Sequence, residues 1–234
     1  MTQPMIETAL ALITAHLLAD FVVQTLWIVE NKRRFPVLLW HGSHVFALSV
    51  LALGGSVVLA LVIAAAHMVI DLVKVRALPP TLWAFCADQM AHLVTIALVV
   101  WWVPDAFAQG LWHPLPTGVF LAALYLCGFI LTTTTGGPIV GLLMAPYRDL
   151  TPAEGLDNAG RTIGLLERGL IYLLVMAGEP AGIGFLIAAK SILRFDTASK
   201  SQKLSEYVII GTLASFGWAL LMAFGTQALI KLLA

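Results

Sequence analysis

Four segments of this chain pair histidine with aspartate, or with a second histidine, at the spacing of one helical turn. They are His16-x-x-x-Asp20, His41-x-x-His44, His67-x-x-x-Asp71 and Asp88-x-x-x-His92, and they hold five of the six histidines. Residues three or four apart share a helix face, so each pair aims its polar groups in one direction. Imidazole with carboxylate is a ligand set that suits zinc and other first-row metals. His16, Asp20, His41, His44, His67, Asp71 and His92 are the candidate ligands, and a divalent ion, zinc first, is the expected cofactor. Asp88 is either a further ligand or the general base of a reaction at the ion. A catalytic zinc keeps three protein ligands and one open position. So many candidates imply two ions, or some residues that orient the ligands or act as bases. Three other readings compete: interhelical hydrogen bonds alone, axial ligation of haem, and a proton or ion path. Haem accounts for two histidines and leaves the three aspartates unexplained.

Other polar residues are assigned by their place relative to these faces. Gln24 continues the His16–Asp20 face one turn on and is expected to support the site. Gln89 points about 100° away from Asp88 and is expected to be structural. Lys74 is expected to extend to the membrane interface. His113 lies in a Pro-rich loop, apart from the other five. In the second half, Arg161, Glu167, Arg168, Lys190, Arg194 and Glu206 form a different set. Arginine in a fixed fork suits phosphate or carboxylate, so Arg161, Arg168, Lys190 and Arg194 are candidates to hold an anionic substrate or lipid headgroup. The alternative is ion pairing with Glu167 and Glu206. Thr132 to Thr135, before Gly136-Gly137-Pro138, fit a kink whose freed carbonyls are satisfied by hydroxyls.

The elements that carry these residues are hydrophobic. The 234 residues are 60% hydrophobic and 11% charged, with net charge zero and mean hydropathy +0.93. Soluble domains carry about 25% charged residues, so the composition places the chain in a bilayer and gives no sign of nucleic-acid binding. A spanning helix needs about 20 apolar residues. Eight runs qualify: 5–29, 36–54, 56–76, 82–103, 117–135, 162–178, 181–195 and 205–232. The first lacks a basic leader region and is read as a retained helix. Gly54-Gly55 permits a tight turn, Pro79-Pro80 stops the third run, and Pro104, Pro114 and Pro116 mark a loop. Residues 139–145 form a short apolar piece, re-entrant or interfacial. Asn158 is a candidate cap for the sixth run. Cys86 and Cys127 are too few for a disulfide framework and read as buried apolar residues. Trp27, Trp40, Trp101 and Trp102 stand near helix ends, as in an interfacial belt.

The expected architecture is therefore an all-α integral membrane bundle of about eight transmembrane helices. It comprises a four-helix His/Asp half over 1–103 and a second half over 104–234, within one membrane domain. Basic residues favour cytoplasmic loops. Lys32, Arg33, Arg34, Lys74, Arg76, Arg148, Arg161, Arg194, Lys200 and Lys203 all fall on one side of this bundle, which puts both termini on the other. That topology places the four His/Asp pairs in the cytoplasmic halves of their helices, at similar depth.

The ordered set Ala15-His16-Leu17-Leu18-Ala19-Asp20-Phe21-Val22-Val23-Gln24, His41, His67-Met68-Val69-Ile70-Asp71-Leu72-Val73-Lys74 and Asp88-Gln89-Met90-Ala91-His92 resembles the bacterial membrane family of unknown function DUF3307. The later stretches Gly-Arg-Thr-Ile-Gly-Leu-Leu-Glu-Arg and Ala-Lys-Ser-Ile-Leu-Arg-Phe, with Glu206-Tyr207, resemble its longer members. The resemblance implies a multi-pass protein of the bacterial inner membrane and supplies no activity. The His-x-x-x-Asp helices are also similar, more loosely, to those of membrane-bound metal-dependent hydrolases. The expected function is a metal-dependent hydrolase acting on a lipid-like or phosphorylated substrate, with membrane lipid as partner. The competing classes are a metal-ion or proton transporter and a non-catalytic scaffold. A transporter calls for access from both faces and commonly a repeat; no strong repeat is evident.

Overall fold

The computed structural model describes residues 2–150, 158–198 and 202–233, with side chains at all of these except 148–150 and 193–198. Lys200 and the side chains of Arg148 and Arg194 lie outside what is described. Ten α-helices follow one another: α1 Gln3–Leu18, α2 Leu26–Asn31, α3 Phe35–Ala52, α4 Val57–Ala77, α5 Leu82–Trp102, α6 Thr117–Thr132, α7 Gly136–Leu143, α8 Ala159–Met176, α9 Ala181–Ala198 and α10 Gln202–Leu233. No strand occurs among the described residues.

Among the described residues, six helical segments are long and apolar enough to cross a membrane: Gln3–Val23, Phe35–Ala52, Val57–Ala77, Leu82–Trp102, Thr117–Leu143 and Gln202–Leu233. Of the eight expected runs, two fall short for identifiable reasons. Helix α8 carries Arg161, Glu167 and Arg168 within 18 residues. The apolar part of α9 is the short Ala181–Ile192. Val58, Leu61, Leu98, Leu213 and Leu221 are exposed on outward faces. Such a surface is unusual for a protein that meets water.

The chain divides into two compact units, Met1–Cys127 and Gly128–Ala234, with the division inside α6. In the first unit, α1 packs on α3 and α5, and α4 packs on the same two helices. The four long helices thus form a square, and the short connections make successive ones antiparallel. Gly42 lets α3 approach α4 closely, since a Cβ there would overlap the Met68 side chain. Leu12, Val45, Leu59, Ile63, Ile96 and Val99 fill one end of the square. The loop after α5 is tied back by Thr8, whose hydroxyl donates to the Pro104 carbonyl and accepts from Phe107 N–H.

The sequence expectation of one helix over 5–29 is corrected by the backbone. Helix α1 passes into a π-helical turn, Ala19–Val23, and ends at Gln24, whose N–H reaches the Ala19 carbonyl. Helix α2 starts afresh with Thr25 as cap, accepting from Ile28 N–H. Pi-helical turns occur mostly at functional sites, and Asp20 lies in this one. At the third turn, Gly54 and Gly55 adopt φ of 64° and 108°, the conformation that favours glycine.

In the second unit, α10 packs on α7, α8 and α9 around Ile171, Tyr172, Val175, Phe216 and Ala219. The expected run 117–135 ends its helix at Thr132. The hydroxyls of Thr132, Thr133 and Thr134 donate to the carbonyls four residues back, a pattern that bends helices. Asn158 occupies the cap position of α8 with φ 61° and makes no side-chain cap bond, so it serves as a turn residue.

Candidate metal centre

Each long helix of the first unit contributes one histidine to a common layer: His16 from α1, His41 from α3, His67 from α4 and His92 from α5, all buried. The rings are in mutual contact. His67 stacks on His92 at 4.0 Å between centroids, and His16 lies 5.1 Å from His92. Rings this close leave no space for a haem macrocycle, so that reading is set aside.

Three buried aspartates form the adjoining layer. Asp20 and Asp71 follow their histidines by four residues on α1 and α4, whereas Asp88 precedes His92 by four on α5. Because α5 runs opposite to α1 and α4, the inverted order places all three carboxylates on the same side of the histidines. On α3 the equivalent place is Val37, which is buried and apolar.

The closest set is a triangle. His41 Nε2 lies 3.1 Å from His67 Nε2, and Asp20 Oδ1 lies 3.2 Å from both. A tetrahedral ion with ligands at about 2.0–2.1 Å separates its ligand atoms by roughly 3.3 Å. The triangle therefore has the edge lengths of one face of such a polyhedron. Its His41–His67 edge is a hydrogen-bond contact, whereas Asp20 Oδ1 is buried and makes no hydrogen bond despite its two neighbours. Asp71 Oδ2 approaches the same two nitrogens at 3.5 and 3.4 Å.

Three groups in this region could hold a metal ion: Asp20, His41 and His67; Asp71, Asp88 and His92; and His16, His67 and His92. In each, the prospective ligand atoms lie within 4.8 Å of one another. His92 Nε2 and Asp88 Oδ1 face each other at 3.6 Å, and neither has a hydrogen-bond partner.

One oxygen of each carboxylate, Oδ2, is held by residues that sequence reasoning placed elsewhere. Gln89 Nε2 donates to Asp20 Oδ2 at 3.4 Å and to Asp88 Oδ2 at 3.1 Å, and its Oε1 faces His16 Nε2 at 3.2 Å. Gln89 is thus part of the site. Lys74 turns inward to pair with Asp88 Oδ2 and does not extend to the interface. Lys32, buried in the connection after α2, donates to Asp71 Oδ2 at 2.7 Å. Three carboxylates share the site with two ammonium groups and four imidazoles. Buried charge is costly unless it is answered.

His44 does not join the layer. It packs edge-on against Trp40, with centroids 4.8 Å apart, because i+3 turns it about 60° from the His41 direction. Gln24 is half-buried, and its Oε1 has no hydrogen-bond partner. On the apolar side, a cavity of about 10 Å³, close to one water in size, is lined by His16, His67, His92, Ser49, Thr95 and aliphatic residues.

Of the four basic residues expected to bind an anion, Arg161, Arg168 and Lys190 have described side chains. Arg161 is exposed at the start of α8. Arg168 is buried, donating from Nε to the Thr133 carbonyl at 3.0 Å and from a terminal nitrogen to Ser215 Oγ at 3.2 Å. Lys190 pairs with Glu167 at 2.7 Å. These contacts all lie within the second unit.

No curated protein and no solved structure matches the chain. The model of one family does, over residues 9–113, the stretch that supplies the whole His/Asp layer. That family is DUF3307, proteins of unknown function.

Proposed function

We propose that the first unit is a membrane-embedded metal centre and that it works as a metal-dependent hydrolase. The observation that carries this reading is the triangle of Asp20 Oδ1, His41 Nε2 and His67 Nε2, whose 3.1–3.2 Å edges fit a small divalent ion. A two-histidine, one-carboxylate set suits zinc, manganese or iron, and zinc is the first expectation. Three ligands leave a coordination position open, which is the arrangement of catalytic rather than structural zinc. A bound ion would supply Lewis acidity and a water ionised near neutral pH.

The chain's own residues prepare that chemistry. Gln89 fixes the outer oxygen of Asp20 and so aims the inner one at the imidazoles. Asp88 Oδ1 and His92 Nε2 lie beside the triad without hydrogen-bond partners, placed to take a proton from a water or to hold a second cation. Lys32, Arg33, Arg34, Lys74 and Arg76 stand at the carboxylate end of the square, which the positive-inside rule assigns to the cytoplasm. The site then lies in the cytoplasmic half of a bacterial inner membrane, where a lipid-like or phosphorylated substrate can reach it laterally. Hydrolysis adds the water oxygen to the acyl or phosphoryl group and its proton to the departing alcohol.

The test uses the full chain in detergent. Mass spectrometry should find bound zinc, manganese or iron, lost in His41→Ala, and the metal-loaded protein should cleave a lipid ester. Wild-type protein that holds no metal after dialysis against excess ion overturns the reading. Metal that crosses the bilayer of chain-bearing liposomes, with no ester turnover, replaces hydrolysis with transport.

A further inference from the structure

Beyond the first ion, we infer that Asp71, Asp88 and His92 hold a second one, making the centre dinuclear and its substrate a phosphate ester. The inference rests on the proposal of a metal centre above.

The first observation is how the three possible groups overlap. His16–His67–His92 shares a residue with each of the other two, so it excludes them when filled. Asp20–His41–His67 and Asp71–Asp88–His92 share none and can be filled together. They use six of the seven buried histidines and aspartates of the layer, and they leave His16 to Gln89.

The second observation is unpartnered atoms at each group. Asp20 Oδ1 at the first, and Asp88 Oδ1 and His92 Nε2 at the second, are buried and lack hydrogen bonds. Their residues are 8%, 3% and 3% exposed. Leaving a buried polar atom unsatisfied costs about 1–3 kcal/mol, and Asp88 Oδ1 and His92 Nε2 face each other. The 3.6 Å gap between Asp88 Oδ1 and His92 Nε2 is too long for a hydrogen bond and close to the ligand spacing around a small cation.

The third observation is a repeated design. At Asp20 the outer oxygen takes Gln89 and the inner one is left to the imidazoles. At Asp88 the outer oxygen takes Lys74 and Gln89, and the inner one is left to His92. One glutamine thus orients a carboxylate of each group. Asp71 Oδ2, held by Lys32, lies against the first group's nitrogens while Asp71 belongs to the second, so Asp71 stands between the two groups.

Two adjacent ions clamp the attacking and departing oxygens of an in-line displacement, the arrangement used for phosphoryl transfer. Two divalent ions would bring four positive charges against three carboxylates, which favours a phosphate over a neutral carboxylic ester. In the reaction the water oxygen bonds to phosphorus as the ester P–O bond breaks. The proton of the water leaves with the alcohol, and no oxidant or further reactant is needed.

The experiment is metal stoichiometry and manganese electron paramagnetic resonance on the full-length, detergent-solubilised chain, with the isosteric Asp88→Asn variant beside it. Two equivalents in the wild type with a spin-coupled manganese spectrum, falling to one equivalent and an isolated six-line signal in Asp88→Asn, are expected. Cleavage of a phosphate monoester or diester lipid should fall at least 100-fold in the variant. One equivalent in the wild type, with an uncoupled spectrum, overturns the second ion and leaves the first site standing. No metal in the wild type overturns both. Two coupled ions that cleave carboxylic esters and spare phosphate esters overturn the substrate class alone. The spectrum of the wild type decides the number of ions even where the variant does not fold.

Discussion

Both units of this chain bury charged side chains among apolar helices, and they spend those charges differently. In the second unit every described buried charge is used up locally. Arg168 closes the Thr133 carbonyl freed where α6 ends, and Lys190 neutralises Glu167. In the first unit the lysines and Gln89 hold Oδ2 of each aspartate, while Asp20 Oδ1, Asp88 Oδ1 and His92 Nε2 make no hydrogen bond and face ion-pair partners at 3.2–3.6 Å. Buried charge alone therefore does not mark a site. A cluster of buried carboxylate and imidazole atoms that make no hydrogen bonds does, because unsatisfied groups are costly and persist where another function requires them.

The largest effect that could break this contrast comes from removing one charge in each unit. His67→Ala should abolish the first metal site and any hydrolysis that depends on it, with at least one equivalent of ion lost. Arg168→Ala should leave metal content unchanged and lower stability by about 2–3 kcal/mol through the orphaned Thr133 carbonyl. Metal analysis and thermal melting of the same two preparations check both. Metal loss in Arg168→Ala would erase the distinction between the units.

A second, smaller effect sharpens the account of the first unit. Gln89 touches no prospective ion, yet it braces Asp20 and Asp88 and faces His16. Removing a residue that orients metal ligands typically weakens binding 10–100-fold. Gln89→Ala should lower metal affinity by that factor, measured by competition with a chelating dye, with little change in melting temperature. An unchanged affinity would reduce Gln89 to packing.

Gln89 also shows where the sequence is legible and where it is not. Helical spacing is visible in a sequence, and it identifies His16, Asp20, His67, Asp71, Asp88 and His92 as facing inward. The inverted order Asp88-x-x-x-His92 even encodes the antiparallel course of α5. A face argument treats side chains as fixed spokes, however. It puts Gln89 about 100° from Asp88, while three rotatable bonds bring its amide back. It accepts His44 because i+3 is a neighbour, although one imidazole cannot point along two directions. Lys32 sits in a connection with no periodicity, so only the folded chain brings it to Asp71. The interruption of the first helix at Gln24 is hidden too, since hydropathy is blind to a switch from i+4 to i+5 hydrogen bonds. In the second unit the run of threonines and glycines announces the break before α7, but nothing in spacing says that Arg168 is the residue that seals it.

A third prediction probes the second unit directly. Glu167→Gln removes the partner of Lys190, and the two side chains are 11% and 13% exposed. Breaking a fully buried pair costs about 3–5 kcal/mol; this slightly wetter pair should cost roughly 1–3 kcal/mol by melting in detergent. Metal content should not move. If the variant melted as wild type but lost turnover of an anionic substrate, the pair would belong to binding rather than to architecture.

The smallest effect tests the boundary of the site within the first unit. His41 and His44 share a helix and a residue type and differ by 60° of rotation. His41 is fully buried, with its Nε2 on the triangle, whereas His44 is half-buried and rests on Trp40. His44→Ala forfeits one edge-on ring contact, worth about 0.5–1.5 kcal/mol, and should keep the full complement of ions and wild-type turnover. His41→Ala removes a ligand from the same helix and should lose metal. Equal losses in the two variants would mean that α3 can rotate to present either ring, and the triangle would then be one of two registers rather than a fixed cage.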